Sequence, residues 1–243
     1  MTVEGSYQVA EGQPISISRV YDQTLGGNGK SYVLSTEPLM TTRYSVRDVL
    51  AQHEEFSKFL ELMDGSGLFE SIHNKRFGTA SQNVSSFNTY HYTVYVPTNE
   101  SIERLQNEGR LSSWEKVDQY ELDGNLTDKT KDSLQIVNFL KYHIQDHAHF
   151  IGAEEEKDDF ETALIDPVTE RFYRLGVDLN NSGITLKDKA GNTRHVVMDN
   201  RNLYNLQARE YQYKEQDATK ANQIETTSTA VIHLIDEPLL VNN

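Results

Sequence analysis

The chain has 243 residues, 23 Lys and Arg against 37 Asp and Glu, and a formal net charge of −14. Nucleic acids and anionic membranes require clustered cations, and no stretch of this sequence supplies them. The absence of Cys excludes disulfides, thiolate zinc sites, iron–sulfur clusters and a Cys nucleophile together.

Hydrophobic residues make up 37% of the chain, and that figure includes 13 Tyr. A lean core wrapped in long polar connections is therefore expected, at a length that can still bury a core without covalent staples. No run approaches the ~20 apolar residues of a membrane span. Met1-Thr2-Val3-Glu4-Gly5 has neither a basic n-region nor an apolar h-region. The expectation is either a cytosolic protein or a trimmed mature fragment with an added Met.

In chain order, Ile15–Ser18 and Ser31–Leu34 alternate apolar and polar residues around the turn string Leu25-Gly26-Gly27-Asn28-Gly29. This predicts a hairpin too small to hold a core of its own. From Ser45 the period becomes helical. Ser45-Val46-Arg47-Asp48 reads as a capping box with Asp in place of Glu. Val46, Leu50, Phe56, Phe59, Leu60 and Met63 then follow at helical intervals, and Gly65-Ser66-Gly67 ends the pattern. Leu68-Phe69 is expected to pack back on these helices, and residues 71–91 read as a long polar loop.

Tyr92–Val96 reads as a strand ended by Pro97, after which Thr98 caps a helix over Asn99–Asn107 with Glu100 near its positive end. Ser112 or Ser113 caps a short helix carrying Trp114 and Val117. Thr127 or Asp128 opens a longer one, with Leu134, Val137, Leu140 and Ile144 as its apolar stripe and Ile136 and Phe139 widening it. Strands are expected at Phe160–Ile165, Arg171–Val177, Gly183–Lys187 and Thr193–Met198. Ala230–Ile235 is an almost continuous apolar run, which suits a strand covered on both faces.

Three of these segments resemble the fasciclin domain family. Thr93-Val94-Tyr95-Val96-Pro97-Thr98-Asn99-Glu100 is similar to that family's first signature, usually Thr-Val-Phe-Ala-Pro-Thr-Asn-Glu. Tyr142-His143 resembles its helical Tyr-His segment. Val231-Ile232-His233-Leu234-Ile235-Asp236, followed by Leu239-Leu240, resembles its second signature. Order and position agree over residues 42–240.

The departures are Thr229-Ala230 where Asn-Gly is usual, Ser101-Ile102 for Ala-Phe, and apparent expansions at 71–91 and 145–160. There is no Arg-Gly-Asp tripeptide, so animal receptor binding is not carried over.

The resemblance implies an α+β fold, a twisted β-sheet wedge with helices packed on one side, over residues 42–243. Residues 1–41 would form a strand-rich N-terminal extension. It also implies a non-enzymatic adhesion or protein-interaction module, extracellular or on a cell surface, with a protein or glycan partner and no cofactor. Similar domains in some gut bacteria look like surface lipoprotein modules, so a lipid anchor upstream would fit. The signature residues Thr93, Val94, Pro97, Thr98, Asn99, Glu100, Tyr142, His143, Val231, Ile232, His233 and Asp236 would be structural or interacting rather than catalytic.

Other strings imitate functional motifs and fail at defined positions. Gly26–Ser31 resembles the end of a P-loop, but Thr24 stands where the first Gly is needed and a strand follows. His53-Glu54 lacks the second His of a metalloprotease helix. His143, His147 and His149, with Asp146, are the densest imidazole group, and packing and hydrogen bonding is the expected role. Asp178–Gly183 imitates half a calcium loop, but Lys189 replaces its final Glu. The run Glu154–Asp159 is expected to be a solvated loop.

No Gly-x-Ser-x-Gly elbow exists, and nothing singles out a carboxylate pair for glycoside chemistry. A glycan-binding alternative would use exposed rings, the densest local set being Phe87, Tyr90, His91 and Tyr92. His233, inside an apolar strand, is expected to be buried and neutral, with Tyr142 and His143 as partners.

Overall fold

The computed structural model describes residues 1–3, 14–22, 29–36, 38–39, 42, 44–68, 91–152, 155–213 and 224–242. The chain divides into two compact units, Met1–Arg43 and Tyr44–Asn243. In the first, β1 (Thr2–Val3), β2 (Ile15–Asp22) and β3 (Lys30–Leu34) form an antiparallel sheet in that order. β2 and β3 are the expected hairpin, whereas β1 is too short to show a period. The apex, residues 23–28, lies outside the described residues. Val20, Tyr21, Tyr32 and Val33 stay exposed on the hairpin.

The second unit is α+β. Ser45 Oγ accepts from the Asp48 amide while Asp48 Oδ2 accepts from the Ser45 amide at 2.9 Å, so the capping box forms and opens α1 (Val46–Ala51). The helical period does not run on unbroken. A single 3-10 turn at Glu54–Phe56 separates α1 from α2 (Ser57–Gly65). Val46, Leu50, Phe56, Phe59 and Met63 are buried, and Leu60 and Leu68 pack half-buried against them. Phe69 and the 71–90 segment lie outside the described residues.

β4 (His91–Pro97) leads into α3 (Asn99–Asn107), where Thr98 Oγ1 accepts from the Ser101 amide as expected of the cap. Ser113 caps α4 (Trp114–Leu122), while the Ser112 hydroxyl donates to Asp132 Oδ2 at 2.8 Å. The long helix α5 (Leu126–Tyr142) starts earlier than expected. Its cap is Asn125, which follows Gly124 at φ 72°, and not Thr127 or Asp128. Its inward face is Asp132, Ile136, Leu140 and Tyr142. Leu134 is 55% exposed, and Ile144 belongs to the next strand.

Seven further strands follow: β5 (Ile144–Asp146), β6 (Glu156–Ile165), β7 (Phe172–Asn180), β8 (Gly183–Lys187), β9 (Thr193–His195), β10 (Leu206–Tyr213) and β11 (Ile224–Ile235). The sheet order is β10-β11-β4-β5-β6-β7-β8-β9. Every neighbouring pair is antiparallel except β11–β4. Four of the acid-run residues, Glu156–Asp159, lie in β6 rather than in a loop.

The sheet curls on itself. Beyond β9, Val196 bridges Ile235, and the Val197 amide donates to Leu234 O at 2.9 Å. Helices cover one face, where Tyr92, Val94, Val96, Ile232 and Leu234 join the helical side chains. A second core inside the curl gathers Tyr95, Phe160, Leu175, Val177, Leu186 and Ile235. β4 and β11 therefore lie between two cores, as the unbroken apolar runs predict.

The packing of α2 on α4 is tight at Gly65. A Cβ there would sit 2.4 Å from Trp114 Nε1, the nitrogen that donates to Leu62 O at 2.9 Å. Gly→Ala in a helix normally gains up to about 1 kcal/mol, whereas forced overpacking costs roughly 1–3 kcal/mol. Gly65→Ala should therefore lower the urea midpoint and shift the emission of the single Trp. A raised midpoint with unchanged emission would contradict this contact.

Candidate functional site

The sequence strings that carry the fasciclin resemblance are far apart in the chain and meet in the fold. β4 and β11 pair in parallel register from His91↔Thr229 to Pro97↔Ile235, so Val94 lies opposite Ile232, Thr93 opposite Val231 and Tyr95 opposite His233. Thr98 Oγ1 also donates to Asp236 O at 3.4 Å. Asp236 Oδ1 accepts from the amides of His195 (2.9 Å) and Glu237 (2.8 Å). Asn99 clamps the start of α2. Its Oδ1 accepts from the Lys58 amide, and its Nδ2 donates to Glu54 O and Ser57 Oγ. Pro97 is buried at the strand end, and Glu100 is exposed in the first turn of α3.

Tyr142 and His143 join the same assembly from the end of α5. The Tyr142 hydroxyl accepts from the Lys189 amide at 2.8 Å, and burial pushes this phenol's pKa up. His143 Nδ1 donates to Phe139 O at 2.7 Å, and its Nε2 accepts from the Leu239 amide at 3.0 Å. The His143 carbonyl accepts from the Tyr95 amide.

His233 is fully buried and does not meet Tyr142 or His143. Its Nδ1 accepts from the Asn205 amide at 3.3 Å, its Nε2 donates to His149 O at 2.9 Å, and its ring lies against Tyr95 with centroids 6.0 Å apart. The expected partners came from the resemblance. The pairing is instead set by Asn205, between β9 and β10, and by His149, between β5 and β6, neither of which lies in a signature.

The imidazole group divides in the same way. His143 is spent as described. His149 is buried, and its Nε2 accepts from Gln145 Nε2 at 2.7 Å, so Nδ1 carries the proton and faces Glu156 Oε2 at 3.4 Å. His147 is exposed, lies 6.4 Å from the His149 ring, and has Nδ1 3.3 Å from Asp146 Oδ2. Phe160 touches both rings. With both His149 nitrogens engaged, this pair presents no second free ligand for a metal. Among the described residues no three His, Asp or Glu are grouped to hold one.

Asp178 pairs with Lys157, and Asn180 Oδ1 accepts from the Ser182 amide to turn β7 into β8. The calcium-like string is thus a hairpin turn. His53 precedes the 3-10 turn, and Lys30 runs straight into β3. Of the aromatic set, Tyr92 is buried and donates to Glu210 Oε2 at 2.8 Å. His91 is exposed with its ring beside Thr229 Oγ1, and Phe87 and Tyr90 lie outside the described residues.

No family model matches the chain, and no curated protein matches it in sequence. Among solved structures it is similar to a FAS1 domain pair from the insect cell adhesion molecule fasciclin I. The identity is 13% and the TM-score 0.39, over 98% of this chain and 62% of that one. The chain thus spans less than two thirds of that structure's length.

Burial pushes His143, His149 and His233 from 6.5 down to about 4. Each accepts an N–H on one ring nitrogen, so a second proton would set donor against donor. Between pH 6.5 and 4 the unfolded chain binds protons that the folded chain refuses. Stability is full above 6.5 and falls with falling pH, by up to roughly 3 kcal/mol per ring. Urea titrations from pH 8 to 5 should show this loss, and a flat profile would contradict neutral buried rings. His233→Ala, which strands the Asn205 amide and the His149 carbonyl, should cost about 2–4 kcal/mol at pH 7.5. Near wild-type stability would contradict that pairing.

Proposed function

We propose that the chain is a non-enzymatic adhesion or protein-interaction module of the fasciclin type, working outside the cell or on its surface. The observation that carries this reading is the convergence of the three signature strings on one ladder. Thr93–Glu100, Tyr142-His143 and Val231–Asp236 resemble the family separately; in the fold the first and third pair along β4 and β11, and the Tyr95 amide of the first donates to the His143 carbonyl of the second. Their polar groups serve the frame. The buried imidazoles are neutral connectors, and Asn99 and Asp236 hold backbone amides.

In this reading residues 1–41 are the strand-rich extension and residues 42–243 the module. A bacterial surface setting with an upstream lipid anchor suits it. No helix among the described residues is long and apolar enough to cross a membrane, so attachment would come from elsewhere. Contact with partners would fall to surfaces outside the signatures, because most signature side chains face inward.

The test is antibody staining of intact, unpermeabilised source cells together with adhesion of cells lacking the gene. Staining of intact cells and weakened adhesion are expected. Antigen seen only after permeabilisation, with adhesion unchanged, would overturn the reading.

A further inference from the structure

The sheet of the first unit has almost nothing to bury. Between Met1 and Thr36, Ile15 is the only buried side chain among the described residues. A lone hairpin is marginal in water, and small sheets gain stability from added strands or a covered face. β1 takes up one end of the β2 edge, with Thr2 opposite Ser16 and Val3 opposite Ile15. Among the described residues no strand pairs with the outer edge of β3.

Two hydrogen bonds fix which backbone groups face that edge. The Ser35 amide donates to Ser16 O at 2.9 Å, and Ser18 Oγ donates to Val33 O at 2.9 Å. Backbone direction alternates along a strand. Ser31, Val33 and Ser35 therefore turn toward β2, while Tyr32 and Leu34 turn their N–H and C=O groups outward. Tyr32 lies opposite Val20, and Lys30 opposite Asp22. Tyr32 and Val20 are 45% and 43% exposed. Natural edges are blunted by charges, Pro or bulges. Ser31–Leu34 carries none of these, and the bulge between Ile17 and Arg19 belongs to β2.

We propose that this edge pairs with the β3 edge of a second copy of the chain, antiparallel about a two-fold axis at Tyr32. Centring there matches all of Lys30–Leu34: Tyr32 meets Tyr32 of the second copy, Ser31 meets Val33, and Lys30 meets Leu34. The outward backbone groups of the two Tyr32 residues exchange hydrogen bonds. Each ammonium faces an aliphatic side chain across the joint and Asp22 within its own sheet. A parallel pairing in register would set Lys30 on Lys30, and like charges directly opposite are destabilising. The joined sheet carries the row Val20, Tyr32, Tyr32, Val20 across its middle, and aromatic and β-branched cross-strand pairs are the favourable kind. Charge selects the same place. Each chain has a net charge of −14, so two copies repel over most of their surface, whereas β2 and β3 set Arg19 and Lys30 against Asp22 alone. An edge this short buries less than a standard interface, so the dimer is weak and depends on concentration. The inference goes beyond the adhesion reading and does not rest on it, because it concerns the first unit alone.

Sedimentation velocity of the full chain should show a reversible monomer–dimer equilibrium between about 1 and 300 μM. Tyr32→Lys sets two ammonium groups opposite each other and should raise the dissociation constant about tenfold or more. Leu122→Lys, the same change of charge at an exposed apolar position on α4, should stay within about twofold. The chain has no Cys, so single-Cys variants report position directly. Under mild oxidation Tyr32→Cys should yield several-fold more covalent dimer than Tyr21→Cys, which lies on β2, a strand away from the axis. That comparison decides the matter if Tyr32→Lys melts the hairpin.

A chain that stays monomeric over this range, a dimer that Tyr32→Lys leaves intact, or equal cross-linking of the two Cys variants would overturn the pairing. None of these outcomes bears on surface staining or on the adhesion of cells lacking the gene, so this inference and the adhesion reading fail separately.

Discussion

The parallel ladder between β4 and β11 is the constraint on which the rest of the second unit depends. Its strands are separated by more than half the chain, and each is flanked by another strand, β10 beyond β11 and β5 beyond β4. Both are interior, so their backbone groups are paired and their side chains can be apolar on both faces. Val94, Val96, Ile232 and Leu234 are fully buried on the helical side, each contributing roughly 1.5–3 kcal/mol relative to exposure. Tyr95 and Ile235 serve the core inside the curl. Closing so long a connection has an entropic cost that rises only slowly with length, and the two cores meet that cost at one place.

Polar groups in this double core have to be satisfied without charge. Neutral imidazole suits the task because it offers one donor and one acceptor on a rigid ring. His143 links the last turn of α5 to the Leu239 amide, and His233 links β11 to Asn205 and to the His149 carbonyl. Both tie β11 or the segment after it to elements that β11 does not pair with. The family-like histidines are thus joints between distant chain segments, which accounts for their place inside apolar surroundings.

What was legible in the sequence was local. Ser45 with Asp48, Thr98 before Asn99, and the apolar run ending at Ile235 each carry their reason in adjacent residues, and each forms. The errors have physical causes. β10 shows no strand pattern in sequence because its inward face contains Glu210, which is buried against the Tyr92 hydroxyl and breaks the apolar alternation. β5 has three residues and exists through its neighbours. Glu156–Asp159 is exposed along its length yet extended, because β7 pairs with it. In α5, Asn125 after Gly124 was the cap signal, and Leu134 faces solvent because Asp132, paired with Lys116, points inward.

Native-state hydrogen exchange on the amides of Thr93–Val96 and Val231–Leu234 tests the central role of the ladder most directly. If the β4–β11 pairing holds the unit together, both sets exchange only through global unfolding, with equal opening free energies that match the urea value. If β11 amides open at a distinctly lower free energy than β4 amides while the helices stay protected, the ladder is a peripheral feature and the account is wrong.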